Sequence, residues 1–273
     1  PLVIAAKEAY HGAANWTHAN PFPILAHERE DVLYFDYDDR DTLESLFAEN
    51  RGEIAALILT PYHHRTYRRQ LLPEDGFSER VRSLCDKEGA LLIMDDIRAN
   101  FRLHKNGSHM RFGMRPDLWC MGKALANGYP ISALLGSEKL KKTASSFFIT
   151  GTYWMSAGPM VASLACLDEM ERMGGIARLE ELGKRLKDGL ETEGRAQGFS
   201  PRVSGPPAIP FLTFDEDPNL YLNQRFGAAM ARRGIFIHPH HNWFISLAHT
   251  EDDIDRTVET AKVCFAALRE GRE

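Results

Sequence analysis

The sequence predicts an α/β fold: a mostly parallel sheet with helices on both faces, followed by a smaller α+β portion. Two observations carry this. Ile54–Leu59 and Ala90–Met94 are short, almost wholly apolar runs, as expected of strands buried on both faces. Between them, Phe77, Val81, Leu84 and Cys85 recur at helical spacing within Pro73–Glu88, and Gly89 stands just past the end as a C-cap. A strand–helix–strand unit of this kind implies parallel pairing.

The other elements follow in order. Pro1-Leu2-Val3-Ile4-Ala5 reads as an interior strand already under way, without a polar lead-in, as in the remainder of a longer protein. A third short strand is predicted over Asp117–Met121, a small-residue helix over Gly158–Arg172 and an amphipathic helix over Glu180–Arg195. Gly198–Pro210, with four prolines, reads as irregular chain. A strand near Pro210–Phe214, a helix near Asn219–Arg233 and strands near Gly234–His238 and Trp243–Leu247 come next. The closing helix has a clear start: Thr250 as N-cap, then Glu251, Asp252 and Asp253 against the positive end of the dipole. Its apolar stripe is Ile254, Val258 and Ala261. These readings place a large domain at residues 1–170 and a small α+β domain at 171–273.

Composition narrows the function classes. The chain has 273 residues, 44% hydrophobic and 26% charged, with 33 basic and 38 acidic side chains and a formal charge of −5. That balance argues against nucleic acid or an anionic membrane as the main partner. No apolar run is long enough to span a bilayer, and no basic region precedes the first apolar stretch. The four cysteines, Cys85, Cys120, Cys166 and Cys264, form no CxxC pair and read as reduced, buried thiols of a cytoplasmic protein.

Three residues invite chemistry. Asp95 and Asp96 end the strand Leu91–Met94, and in open parallel sheets ligands sit at the carboxyl ends of the strands. Adjacent carboxylates there point in opposite directions, so at most one faces a given ligand; the alternative is a helix cap or surface loop. Lys123 follows the strand Asp117–Met121 and reads either as a surface residue or as an amine nucleophile. A carboxylate at one strand end and a lysine at another, 28 residues later, suit pyridoxal phosphate (PLP). The lysine would form a Schiff base with its aldehyde and the acid would pair with the pyridinium nitrogen.

At these segments the sequence resembles the class III PLP-dependent aminotransferases. Tyr10-His11-Gly12 is similar to that family's YHG turn. GALLIMDDIRANFR (89–102) resembles its G-[AV]-LLIFDEV-x-TGFR stretch, and RPDLWCMGKALANGYP (115–130) its PDL-x-x-x-GK segment. Gly151-Thr152 matches its GT element. FISLAHTEDD (244–253) is most like the glutamate-1-semialdehyde aminomutase branch. The resemblance runs collinearly over nearly the whole chain and implies a PLP-dependent transferase of fold type I, transaminating between an amino donor and a carbonyl acceptor. Carried over by position, it makes Lys123 the catalytic Schiff-base lysine and proton shuttle, and Asp95 the partner of the pyridinium nitrogen. Ile97 and Tyr10 pack on the two ring faces, His11 and Gly12 complete the cofactor turn, and Thr152 reaches the phosphate of a neighbouring subunit, which implies a homodimer with shared sites.

Departures from the pattern surround the expected pocket. Asp96 stands for the usual Glu, Ala99-Asn100 for Thr-Gly, Ala126-Asn127-Gly128-Tyr129 for a more Gly-rich run, and Thr60-Pro61 for Glu-Pro. His238, His240 and His241 invite a metal reading but lack a second ligand cluster, and no metal is expected. The family's N-terminal portion, which cradles the cofactor phosphate, has no counterpart upstream of Tyr10. An aminomutase that keeps the amino group on one molecule, and a non-catalytic homologue or binding subunit, are the rival readings.

Overall fold

A computed structural model describes residues 1–12, 25–65 and 67–272. The chain divides into two compact units, one of residues 1–63 and 73–172, the other of 64–72 and 173–273. The excursion of 64–72 into the second unit is a feature that a contiguous division near residue 170 does not contain.

The first unit is built on a six-stranded sheet in the order β2-β1-β3-β4-β5-β6. Its strands are β1 (Leu2–Ala6), β2 (Val32–Phe35), β3 (Ile54–Leu59), β4 (Leu91–Asp95), β5 (Leu118–Met121) and β6 (Ala133–Gly136). The first five pair in parallel and β6 returns antiparallel to β5. The opening apolar run is thus an interior strand, flanked by β2 and β3. One sheet face packs Ala5, Val32 and Ile58 with Val3, Tyr34 and Ile93. Ile4, Leu57 and Leu92, of opposite pleat, are fully buried.

Two helices, α1 (Arg40–Glu49) and α2 (Phe77–Glu88), cover the β2–β4 region. Asp39 caps α1 through the Thr42 amide at 3.0 Å, and Leu43 and Phe47 are buried. Helix α2 begins four residues later than the sequence suggests, because Gly76 takes a left-handed φ of 81° and Asp75-Gly76 form a turn closed by the Phe77 amide on the Glu74 carbonyl at 3.1 Å. Gly89 ends it, also left-handed, as expected. Asp117 ties β4 to β5: its Oδ2 accepts from the Leu92 amide and from Arg82 Nη1, both at 2.9 Å. A short helix α3 (Lys141–Ala144) precedes α4 (Ala157–Arg172), whose only buried residue among those described is Ser163.

The second unit holds α5 (Gly175–Ala196), a hairpin of β7 (Pro201–Ser204) and β8 (Phe211–Phe214), α6 (Tyr221–Arg232) and α7 (Glu251–Arg269). Leu179, Leu182, Leu186 and Leu190 form the buried stripe of α5. Phe214, Phe226 and Phe265 bring β8, α6 and α7 together; Phe226 and Phe265 stack at 4.4 Å. Thr250 begins α7 with a capping box, accepting from the Asp253 amide at 3.2 Å while Asp253 accepts from the Thr250 amide at 2.8 Å.

Three expectations are corrected here. Strand β7 lies inside Gly198–Pro210, the stretch expected to be irregular. The strands expected at 234–238 and 243–247 do not form. The Trp243 amide donates to the Pro210 carbonyl at 2.8 Å and the Ile245 amide to the Ala208 carbonyl at 3.0 Å. Pro210, opposite Trp243, and Pro206, opposite Leu247 in the same register, have no N–H to donate back. Finally, all four cysteines are unpaired thiols, but only Cys85 and Cys264 are buried; Cys120 and Cys166 are half-buried.

Candidate active site at the strand ends

The carboxyl ends of β1, β4 and β5 deliver the residues that the sequence singles out. Four residues past β1, the chain passes through Tyr10, His11 and Gly12 (φ 64°). His11 is buried, and its Nδ1 lies 2.7 Å from Oδ2 of Asp95, the last residue of β4. A carboxylate only accepts, so the contact places the imidazole proton on Nδ1. The Asp95 Oδ1 accepts from the Ile97 amide at 3.1 Å. Each carboxylate oxygen still has a lone pair for a further donor. His11 Nε2 is buried with no hydrogen-bond partner among the described residues.

Lys123 follows β5 and Gly122. Its backbone lies in the left-handed region, at φ 45°. As a residue Lys123 is exposed; desolvation, followed by the neighbouring Arg98 cation, lowers the proton affinity of its amine, and Asp95 acts in the opposite sense. Lys123, Asp95 and Arg98 therefore share one electrostatic neighbourhood. Burial likewise lowers the pKa of Arg98, against the pull of Tyr62, Asp95 and Tyr10. Tyr10 is half exposed, with 51% of its surface accessible.

Asp96 points the other way. It is completely buried and accepts from the Ser108 amide at 2.7 Å and from Trp119 Nε1 at 3.0 Å. Its Oδ1 has no hydrogen-bond partner among the described residues. Desolvation raises its pKa to about 7, while burial lowers that of the adjacent His109 to about 4. The two acids at the end of β4 thus differ: Asp95 binds His11 and acts on Lys123 by its charge, and Asp96 anchors the 107–109 turn and the Trp119 ring.

Ile97 is half-buried beside Gly122, where a Cβ on the glycine would meet Ile97 Cγ2 at 3.6 Å. Thr152 is exposed, in a turn closed by the Trp154 amide on the Gly151 carbonyl at 3.3 Å, and among the described residues no hydrogen bond joins it to the strand-end residues. Of the expected set, His11, Asp95 and Ile97 are joined by direct bonds or by adjacency, Lys123 and Tyr10 by the charges around Arg98, and Thr152 stands apart. The second unit holds the HPHH segment, where His238 lies 6.1 Å from both His240 and His241, centroid to centroid. No cluster of three or more metal-ligating side chains occurs among the described residues.

Two contributors were missed in the sequence. Arg98 gave no signal, since an arginine beside a strand end usually lies in solvent. Asn100 did: it stands where the pattern has glycine. It is completely buried, with its Oδ1 accepting from the Gly122 amide at 3.3 Å.

Comparison with known proteins places this arrangement. An aminopentol aminotransferase of Sphingopyxis macrogoltabida is 39% identical over 266 residues, covering 97% of this chain and 63% of that protein. A glutamate-1-semialdehyde 2,1-aminomutase of Thermomicrobium roseum is 34% identical over 256 residues, covering 88% of this chain and 59% of that protein. The solved PLP internal aldimine form of the FumI protein of Sphingopyxis sp. MTA144 superposes with a TM-score of 0.94 at 39% identity, over 99% of this chain and 66% of that one. The chain therefore spans a little under two thirds of the length of these relatives. The central sheet with its helices is the α/β architecture of fold type I transferases. The family model for aminotransferase class III matches residues 3–263, and the chain belongs to that family.

Proposed function

We propose that the protein transfers an amino group between an amino compound and a carbonyl acceptor with PLP as cofactor. One observation carries this: a buried, histidine-backed carboxylate and a lysine whose amine feels its charge follow neighbouring strands of a parallel sheet.

The donor set fits that cofactor. Asp95 offers a desolvated anionic acceptor suited to a protonated ring nitrogen, and His11 holds it from behind. Ile97 and Tyr10 supply an aliphatic and an aromatic surface for a planar ring, and Gly12 lets the chain turn beside it. When bound, PLP supplies an aldehyde with which amines condense and a ring that takes up electron density from the carbon losing its proton. Lys123 provides the amine that holds the cofactor and, once displaced, the base that takes the proton from the substrate carbon and hands it on. Its lowered proton affinity keeps a larger share of the amine neutral, the form both tasks need. Asp95 keeps the ring nitrogen protonated, which favours electron withdrawal.

The reading extends to partners. Small amino and carbonyl compounds are the substrates. A second copy of the chain covers the apolar segment around Thr152, supported by the exposure of Phe148 (94%), Tyr153 (84%) and Met155 (85%). In that assembly Thr152 reaches the neighbouring site's phosphate. Residues 1–170 act as the large cofactor domain and 171–273 as the small one. The four unpaired thiols support a cytoplasmic setting.

A second reading, an aminomutase, is supported by the likeness of FISLAHTEDD and by the Thermomicrobium roseum relative. The test is to incubate the full-length protein with single amino compounds, with and without an added keto acid. Product only with both partners supports transamination; isomerised product from one compound alone supports the mutase. A full-length protein with neither activity across a broad donor panel, and with no PLP bound, would contradict both.

A further inference from the structure

We propose that Asn100 is a positioning residue for Lys123, clamping the turn after β5 to the turn after β4 so that the lysine holds its left-handed backbone. This rests on the reading of Lys123 as the cofactor-binding amine.

The geometry is specific to this side chain. Asn100 is completely buried. Its Nδ2 donates to the Ile97 carbonyl at 3.2 Å, its Oδ1 accepts from the Gly122 amide at 3.3 Å, and its own amide donates to the Asp96 carbonyl at 2.7 Å. One side chain thus links the segment carrying Asp95 to the residue immediately before Lys123. Downstream, the Lys123 carbonyl accepts from the Ala126 and Asn127 amides at 3.3 and 3.0 Å. Lys123 is therefore fixed from both sides.

The fixing is needed because φ at Lys123 is 45°, a conformation unfavourable for a residue with a Cβ. Such a conformation persists only where its surroundings over-determine it. Gly122 is buried, so without Asn100 its amide loses its acceptor and stays out of water. The turn then relaxes, and the amine moves away from the Arg98 cation that helps lower its proton affinity. A glycine at position 100, as in the family's Thr-Gly pattern, has no side chain to make either bond.

The experiment uses the full-length protein with Asn100→Ala and Asn100→Gly, the second installing the pattern's own residue. Two readouts are taken without PLP: amide hydrogen exchange at Gly122, and the pH midpoint for labelling of the Lys123 amine by acetic anhydride, by peptide mapping. Labelling is repeated with PLP added. In the unmutated protein Gly122 should exchange as slowly as the amides of β5. In the variants its exchange should speed up about tenfold and the Lys123 midpoint should move upward. A role confined to stability would lower the thermal midpoint and leave the labelling midpoint in place, which overturns the proposal. Fast Gly122 exchange in the unmutated protein overturns it as well, whether or not a variant folds. If PLP fails to protect Lys123 from the label in the unmutated protein, the reading of Lys123 fails instead, independently of Asn100.

Discussion

His11 and Asp95, 84 positions apart in sequence, meet at 2.7 Å in the buried end of the sheet. The imidazole gives Asp95 a buried partner that the strand itself does not supply. Oδ1, which among the described residues accepts from the Ile97 amide, and Oδ2 each keep a lone pair for a further donor.

Replacing His11 by alanine should therefore leave the Asp95 carboxylate short of a partner. A lost buried partner costs about 1–3 kcal/mol. The expected outcome is weaker PLP retention and a lower thermal midpoint, with His11→Asn milder because its amide can still donate. Equilibrium dialysis of PLP and thermal unfolding of the two variants check this. Unchanged retention in His11→Ala would remove the histidine from the site.

Asp96 and His109 make a second, opposing pair. Asp96 keeps its proton to about pH 7 in the folded protein against an ordinary 3.8, so its contribution to stability falls as pH rises from about 4 to 7. His109 stays neutral down to about pH 4 against an ordinary 6.5, so its contribution rises with pH over about 4 to 6.5. In the shared window the folded chain holds the aspartate proton and the unfolded chain the imidazole proton, and the two slopes cancel. Asp96→Asn should uncover the histidine slope, with stability rising by up to about 1.4 kcal/mol per pH unit between pH 4 and 6.5. His109→Gln should uncover the opposite slope. Denaturant titrations across pH read both directly.

Gly183 lies in the middle of α5, where a Cβ would run into the backbone of Pro207. Glycine normally weakens a helix, and an alanine there would normally stabilise it. Here the close approach decides: Gly183→Ala should lower stability by about 1–3 kcal/mol. Gly198, left-handed and open, is the comparison site, since strain there arises from φ alone. Thermal unfolding of Gly183→Ala distinguishes packing from propensity.

Much of this architecture could be read in the sequence because the physics was local. Ile54–Leu59 and Ala90–Met94 are almost wholly apolar, and Thr250 with Asp253 writes its own helix start. The parts that escaped depend on distant chain. Strand β7 hides among prolines and exists only because β8 pairs with it. The 243–247 segment has strand-like residues but lies against a stretch in which Pro206 and Pro210 cannot donate back. At the site, Lys123 and Asp95 stood out by position after their strands. Arg98 did not, and Asn100 showed only as a departure from the family's glycine; the effect of both comes from the fold bringing β4 and β5 side by side.

The most direct measurement is borohydride reduction of the full-length protein with PLP, followed by peptide mapping. The account predicts one phosphopyridoxyl group, covalently on Lys123, and none in Lys123→Ala. A modified lysine elsewhere, or no modification at saturating PLP, would contradict the assignment of Lys123 and with it the proposed chemistry.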